Sequence, residues 1–258
     1  MGKKSKDKAK TAEKKAAKAE KQLKKSSKKS KKDGNLDDFE DLEELLNKFQ
    51  ESDKKLTTVS ETKINQPGIR SSASITASPI SDEIYLFGGE HNSGNKTFVY
   101  NDLFVFNIKK QEWTKLFIPN PPPPRCAHQA VITPNDGGQL WIFGGEFSSQ
   151  NGNQFYHYKD LWCLNLKTRV WEEITGKQMK NGPSARSGHR MVYYQEKKEI
   201  YVFGGFNERI TEFVYYNDLF SFSVENRSWK RVVASNDKLG APGPRSACQF
   251  ISLKRGLN

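Results

Sequence analysis

Apolar residues along the chain fall into short runs that recur at a fixed interval. Three runs of four aromatic or aliphatic residues each end in a glycine pair, namely Gly88-Gly89, Gly144-Gly145 and Gly204-Gly205. Behind each pair follow an Asp-Leu step and one tryptophan, at Asp102 and Trp113, Asp160 and Trp171, and Asp218 and Trp229. The Asp-to-Asp and Trp-to-Trp intervals are all 58 residues, and such a repeat of short strands indicates a propeller or a stacked array.

Each repeat contains four predicted strands. The first follows an arginine, the second ends at the glycine pair, the third begins at the Asp-Leu step and the fourth begins at the tryptophan. Apolar residues on both faces of the second strand are typical of a blade packed between two neighbours. We therefore predict an all-β propeller over 67–258, with four-stranded blades at about 67–120, 121–180 and 181–240 and the first strand of a fourth at 241–258.

Three blades and one strand do not close a ring, because propellers usually close with about four to eight blades. Such a cut leaves apolar blade faces and the edge strand 247–253 uncovered. We therefore expect a fragment or truncated form of a longer protein, or alternatively two chains that complete each other.

The polar N-terminal part divides into segments of opposite charge. Residues 1–32 hold fifteen lysines and three acids, a net +12 that equals the charge of the whole chain, and this composition predicts a disordered tail. Residues 33–51 hold eight acids and one base, with apolar residues every three or four positions, which predicts an acidic amphipathic helix. The polar stretch 52–66 is interpreted as a linker.

Both N-terminal segments leave alternatives open. The lysine-rich segment is consistent with two interpretations. It is either a solvated tail or import signal, or it makes a weak contact with nucleic acid, independent of base sequence, in a nucleolar or ribosome-related role. It lacks the arginines and aromatics that base recognition uses. The helix suits an ordinary surface helix over the propeller, a docking element for a partner's groove, or a mask for the lysine charge.

The repeated positions favour structural roles. Paired glycines permit close backbone approach, the tryptophans are predicted to wedge between sheets, and the aspartates to hold a structural hydrogen bond or ion pair. His128 and His189 share one repeat position and are interpreted as structural. The sequence shows neither a phosphate loop nor a nucleophile–base constellation, so we predict a protein without enzymatic activity, cofactor or metal.

Composition also bounds the compartment. Three cysteines, Cys126, Cys163 and Cys248, form no close pair and no metal-ligand spacing, which fits a reducing environment. No apolar stretch approaches the roughly 20 residues of a membrane span. We expect an intracellular protein, cytoplasmic or nuclear and including the nucleolus, that does not contact membranes.

An apolar run, a glycine pair, a loop and a tryptophan resemble the kelch repeat, and this resemblance covers 67–258. The lysine-rich start, the acidic helix and the motifs at 125–131 and 154–162 resemble most closely the kelch domain-containing protein 4 subgroup. The resemblance implies a non-enzymatic scaffold whose propeller loops at one end bind a protein partner.

The resemblance also implies which residues line the ligand pocket. These are the arginine, and often a serine, at the start of each first strand: Arg70, Ser71, Arg125, Arg186, Ser187, Arg245 and Ser246. The second repeat departs from this pattern with Cys126. Clustered arginines would favour an acidic or phosphorylated peptide. In the alternative interpretation, which stays open here, the arginines pair with the blade aspartates.

Overall fold

The computed structural model describes residues 57–209, 212–232 and 242–253, and from Thr58 onward these belong to one compact unit. The first repeat contains β1 (Ser60–Ile64), β2 (Ser74–Ala77), β3 (Glu83–Phe87), β4 (Glu90–Ser93), β5 (Lys96–Val99), β6 (Leu103–Asn107) and β7 (Glu112–Phe117). The second contains β8 (Gln129–Thr133), β9 (Gln139–Phe143), β10 (Glu146–Ser148), β11 (Phe155–His157), β12 (Leu161–Asn165) and β13 (Val170–Ile174). The third contains β14 (Arg190–Tyr194), β15 (Glu199–Phe203), β16 (Phe206–Arg209), β17 (Glu212–Tyr215), β18 (Leu219–Ser223) and β19 (Ser228–Val232). Short 3-10 helices lie at Asn135–Gly137 and Gly176–Met179.

The strands form three larger antiparallel sheets and three small ribbons. The sheets have the orders β1-β7-β6-β3-β2, β13-β12-β9-β8 and β14-β15-β18-β19, and the ribbons are β4-β5, β10-β11 and β16-β17. Neighbouring sheets meet along their first strands, β2 with β8 and β8 with β14. The prediction of an all-β protein with four-stranded antiparallel sheets is confirmed for the second and third sheets, the first having a fifth strand, while ring closure and the total number of blades stay predictions.

Two segments differ from their predicted structure at the sheet edges. Residues 60–64, interpreted as part of a linker, form β1, which pairs with β7 from Ser60↔Phe117 to Ile64↔Trp113. A polar strand suffices there because β1 is the exposed outer edge and needs only a backbone partner.

The second difference concerns the predicted first strand of a fourth blade. Residues 247–253 form no strand. Each of β2, β8 and β14 pairs with the glycine-pair strand of its own repeat, and residues 247–253 have no such partner within the described ranges. Isolated bonds hold this segment to the third repeat instead, such as Ser252 Oγ donating to the Tyr193 carbonyl at 3.1 Å.

The hydrophobic core lies between the sheets. Trp171 packs on Phe87 of the preceding repeat with ring centroids 5.9 Å apart, and Trp229 packs on Phe143 at 5.4 Å. Both tryptophans are buried, as the wedge prediction requires. Trp113 is only half-buried and packs on Phe106 of its own repeat. Burial on both faces of β9 follows, because this strand lies between the first and third sheets.

The glycine pairs are required where one repeat meets the next. The amide of Gly145 donates to the Arg186 carbonyl at 2.9 Å. Gly145 has φ +92°, and a Cβ there would lie 2.6 Å from the Cys126 carbonyl oxygen. Gly89 and Gly205 repeat the bond with Arg125 and Arg245. A larger residue at Gly145 would therefore push against its own repeat, whereas at Gly144 a Cβ would lie 2.7 Å from the Arg186 carbonyl oxygen of the next repeat.

A ladder of backbone hydrogen bonds also joins the repeats. Ala127 N–H donates to the Ser72 carbonyl at 2.8 Å, Gly188 to Ala127 at 2.9 Å, and Ala247 to Gly188 at 2.8 Å. All four residues have φ between +51° and +60°. For a non-glycine residue the left-handed conformation costs roughly 1–2 kcal/mol, which the ladder offsets in part. The ladder fixes how each repeat is oriented on the one before.

Candidate functional site

Each repeat arginine is held by groups of its own blade. Arg125 donates to both carboxylate oxygens of Asp160 at 2.8 Å and to the Gly144 carbonyl at 3.0 Å. Its guanidinium lies 4.1 Å from the centroid of the Tyr158 ring. The Arg125 side chain is fully buried. This is a bidentate, charge-assisted pair, and Arg125 Nε donates in addition to the Pro123 carbonyl at 3.1 Å.

The other two repeats contain the same arginine–aspartate pair, but the distances within the pair differ. Arg186 donates to the two oxygens of Asp218 at 2.6 and 3.1 Å and lies 4.1 Å from the Tyr216 ring. In the first repeat, Arg70 lies 3.6 Å from Asp102. Lys115 contacts the same carboxylate at 2.6 Å. The first site is therefore shared between two cations.

These contacts correct the prediction that the arginines line a ligand pocket. Arg125 and Arg186 have no exposed surface, and the Arg70 side chain is 7% exposed. The described geometry is that of the alternative interpretation, pairing with the blade aspartates. Ser187 is also buried, with Oγ 2.7 Å from His157 Nδ1.

The remaining candidates keep some accessible surface. Ser71 and Arg245 are exposed and Ser246 is half-buried. Arg245 Nε donates to the Gly243 carbonyl at 3.0 Å. A role for these three in binding a partner stays a prediction.

The two repeat histidines lie inside the seams between sheets. His128 Nε2 is 2.9 Å from Ser74 Oγ, and the ring meets Phe87 edge-on at 5.4 Å. Burial, with a smaller effect of Arg125, lowers the pKa of His128 to about 3. Burial likewise lowers the pKa of His189, which packs on Phe143. Both are neutral packing residues at pH 7.

The loops between second and third strands form one continuous surface. The ribbons β4-β5, β10-β11 and β16-β17 occupy the same place in each repeat, and β5 contacts β10 while β11 contacts β16. Thr97 N–H donates to the Gln150 carbonyl at 3.2 Å, and Glu208 N–H donates to His157 Nε2 at 2.8 Å. We call this surface, 90–99, 146–157, 206–209 and 212–215, the ribbon face.

Aromatic side chains on the ribbon face are open to solvent. Phe155, Tyr156, Phe213 and Tyr215 are 41%, 46%, 60% and 51% exposed. Tyr156 stacks on Phe147 with centroids 5.4 Å apart. Large exposed aromatic surface on adjacent loops is characteristic of a binding site for another molecule.

His157 lies close to Ser187 and Glu146, three residue types that can form a hydrolytic triad. The hydrogen-bond pattern does not leave His157 free to act as the general base, however. His157 Nε2 accepts from the Glu208 amide, so in the neutral ring Nδ1 carries the proton and donates to Ser187 Oγ. Burial lowers the pKa of His157, which keeps the ring neutral. Neither nitrogen has a free lone pair for the Ser187 proton, so the cluster orders the ribbon face instead.

Two glutamates hold a repeat position that the sequence interpretation missed. Glu90 and Glu146 directly follow a glycine pair, and they form isolated bridges with Ser71 and Cys126. The Glu146 side chain is 20% exposed, while its Oε2 is enclosed and has no hydrogen-bond partner in the described structure. Burial raises the pKa of Glu146; the Ser187 hydroxyl opposes this, and the nearby acids Glu90 and Glu208 add to it. Recurrence of Glu in two of three repeats was the available signal.

Some site types do not occur in the described ranges. Within residues 57–209, 212–232 and 242–253, no three His, Cys, Asp or Glu side chains converge as metal ligands. No helix in the same ranges has the length and apolar character needed to cross a membrane. The predicted tail (1–32) and acidic helix (33–51) lie outside these ranges, so both stay predictions.

Repeated sheets joined at glycine pairs, with a buried arginine–aspartate pair in each, define a kelch-repeat protein. The chain matches the KLHDC2/KLHL20/DRC7 Kelch-repeats domain over residues 43–256 and belongs to this family. The family resemblance stated from the sequence is therefore confirmed, while the narrower subgroup stays a prediction.

Several curated proteins are similar to parts of the chain. The leucine-zipper-like transcriptional regulator 1 homolog of Drosophila melanogaster is 29% identical over 174 residues, 66% of this chain and 16% of that protein. The human Rab9 effector protein with kelch motifs is 34% identical over 134 residues, 52% of this chain and 32% of that protein. The N-(sulfonatooxy)prop-2-enimidothioate sulfolyase of Thlaspi arvense is 30% identical over 139 residues, 54% of this chain and 36% of that protein. The chain thus spans little more than a third, or less, of each relative.

The solved structure of YjhT is similar to part of this chain. The alignment covers 66% of this chain and 53% of the YjhT chain, with 19% sequence identity and a TM-score of 0.48. Family membership therefore rests on the domain match over residues 43–256.

Proposed function

We propose that this protein is a non-enzymatic protein-interaction module that binds its partner through the ribbon face. Membership in the kelch family and similarity to the Rab9 effector protein with kelch motifs support an interaction module in general. The observation that carries the choice of surface is the exposed aromatic area on two of the three connected ribbons, β10-β11 and β16-β17, where Phe213 and Tyr215 are the most open. Arg125 and Arg186, in contrast, are buried inside the blades in ion pairs with Asp160 and Asp218.

The non-enzymatic part of the proposal rests on local chemistry. In the Ser187–His157–Glu146 cluster both ring nitrogens of His157 are engaged in hydrogen bonds, so the histidine is not free to act as a base. One relative carries the name of a sulfolyase, so this part is tested separately from binding. We also propose the kelch domain-containing protein 4 subgroup as the nearest relationship, on the motifs at 125–131 and 154–162. Contact of the lysine tail with nucleic acid and an intracellular location stay predictions.

A matched pair of variants tests the binding surface. The full chain, immobilised and exposed to a cell lysate, is compared with Phe213→Ser/Tyr215→Ser and with Val170→Ser/Ile75→Ser. The four positions are similarly exposed, at 60%, 51%, 58% and 69%, but the second pair lies outside the ribbons. We expect proteins that the parent retains to be lost from the ribbon variant and kept by the control. Equal retention by both variants would contradict the proposal.

A further inference from the structure

Three carboxylates of the ribbon face, Glu90, Glu146 and Glu208, have no lysine or arginine partner among the described residues, whereas the fourth, Glu212, pairs with Arg209 of its own ribbon at 3.3 Å. Most acids elsewhere in the described structure pair with a base, as in Lys63–Glu112 and Lys198–Glu225. Glu146 accepts from the Ser187 hydroxyl, and the one group beside it in the described ranges that could carry a positive charge is the His157 ring, at 3.6 Å. Because His157 is neutral, that contact does not compensate the charge.

Glu146 is the most constrained of the three. One oxygen is enclosed without a hydrogen-bond partner among the described residues, while part of the side chain reaches the surface. Glu90 and Glu208 act on it as like charges. An enclosed carboxylate with an unpaired oxygen is costly unless a positive group compensates it. The open edge of Glu146 is where such a group can arrive from outside.

Aromatic rings adjoin these acids. Phe206 pairs across its ribbon with Tyr215, and His157 packs against Phe206 with centroids 5.5 Å apart. Phe213 stands opposite Glu208 in the same ribbon. Rings beside carboxylates favour lysine and arginine, because the stem packs on the ring face and the charge meets the carboxylate.

We propose that the ribbon face recognises a basic segment of a partner protein, with a lysine or arginine side chain held at Glu146 between Glu90 and Glu208. This inference rests on the proposed function and names the chemistry of the partner. It reverses the acidic or phosphorylated peptide expected from the sequence, since three of the four arginines behind that expectation, Arg70, Arg125 and Arg186, are held in ion pairs with blade aspartates. The exposed aromatics supply apolar contact around the charged position.

The test uses the full chain and a fluorescein-labelled octapeptide of alternating arginine and glycine. Binding is measured by fluorescence anisotropy at about 50 mM salt, where surface charges are weakly screened. The ribbon variant is Glu90→Gln/Glu146→Gln/Glu208→Gln. The control, Glu61→Gln/Glu112→Gln/Glu225→Gln, removes the same total charge from three exposed acids outside the ribbons.

We expect the ribbon variant to bind the peptide at least about tenfold more weakly than the parent, equivalent to about 1.4 kcal/mol. The control is expected to change affinity by less than about twofold, because scattered surface charges act weakly. The Tm of the ribbon variant should equal or exceed the Tm of the parent, because the substitutions remove like charges that repel one another. Equal losses in the two variants would overturn the inference, as would a parent that does not bind the peptide at millimolar concentration.

The inference and the proposed function fail in different ways. If lysate proteins are lost from Phe213→Ser/Tyr215→Ser while the three Glu→Gln changes leave basic-peptide affinity unaltered, the ribbon face binds a partner of other chemistry. In that case the inference is wrong and the proposed function stands. If neither experiment depends on the ribbons, both are wrong.

Discussion

Removing one charge from a buried arginine–aspartate pair should destabilise the protein far more than removing one from a surface pair. We consider Asp160→Asn, which keeps the shape of the side chain. Arg125 is then left fully buried without its counter-ion, and one of its two 2.8 Å bonds faces an amide that donates rather than accepts. Asp160 also accepts from Trp162 Nε1 at 2.7 Å, on the oxygen that Arg125 Nη2 contacts.

The size of the effect follows from burial. Breaking a buried pair by removing one partner costs about 3–5 kcal/mol, because the other charge stays uncompensated. Asp160 is 17% exposed, so we take the lower end, about 3 kcal/mol. For a domain of about 200 residues, this corresponds to a fall in Tm of roughly 6–12 °C.

The matched control is Asp82→Asn. Its pair with Lys109 is exposed on both sides, at 54% and 78%, and an exposed pair contributes about 0–1 kcal/mol. Both variants and the parent are unfolded by heat in a calorimeter and by urea. A loss for Asp160→Asn no larger than that of Asp82→Asn would refute the structural role of the pair. The double variant Arg125→Met/Asp160→Leu should lose less than the sum of its single changes, because it leaves no buried charge.

Further predictions concern the seams between sheets. Trp229→Ala should cost about 3–5 kcal/mol in free energy of unfolding, and the half-buried Trp113→Ala clearly less, as measured by urea denaturation; equal losses would contradict the wedge geometry. Gly145→Ala should lower the Tm well below that of Gly152→Ala, because both have positive φ but only Gly145 lacks room for a Cβ; similar Tm values would mean that only backbone strain matters. Because burial lowers the pKa of His128 from 6.5 to about 3, the unfolded state binds a proton that the folded state does not. The contribution of His128 to the free energy of unfolding is therefore fully present above pH 6.5. It falls by about 1.4 kcal/mol for each pH unit below that value. In His128→Gln the urea midpoint should therefore depend less steeply on pH between pH 6.5 and about 5 than it does in the parent. An unchanged pH profile would argue against a buried neutral ring.

The sequence predicted the features of the fold that depend on repeated local demands. Glycine pairs, Asp-Leu steps and tryptophans recur because each seam needs the same close approach and the same wedge, as Gly145 and Trp229 show. Strand β1 escaped prediction because its polar residues at 60–64 carry no alternating apolar pattern. The left-handed residues of the seam ladder, such as Ala127, escaped it because alanine gives no sign of positive φ.

The candidate site was harder to predict, because repeat position does not show which way a side chain points. An arginine before each first strand fits both a pocket wall and a buried pair. Only the three-dimensional proximity of Arg125 to Asp160, 35 residues later, decides between them. Glu146 is the converse case, since it follows a glycine pair in an apparent loop, and its enclosure depends on Ser187 and His157 from elsewhere in the chain.

The central claim, that the ribbon face is the surface which binds a partner, is tested most directly by site-specific photo-crosslinking. A photoreactive phenylalanine analogue replaces Phe213 in one full-length variant and Val170 in another, two apolar positions of nearly equal exposure, 60% and 58%. Val170 lies at the far end of its sheet, opposite Asn165. We predict a defined crosslinked product in cells from position 213 and none from position 170. A product from position 170 alone, or the same products from both, would contradict the assignment of the ribbon face.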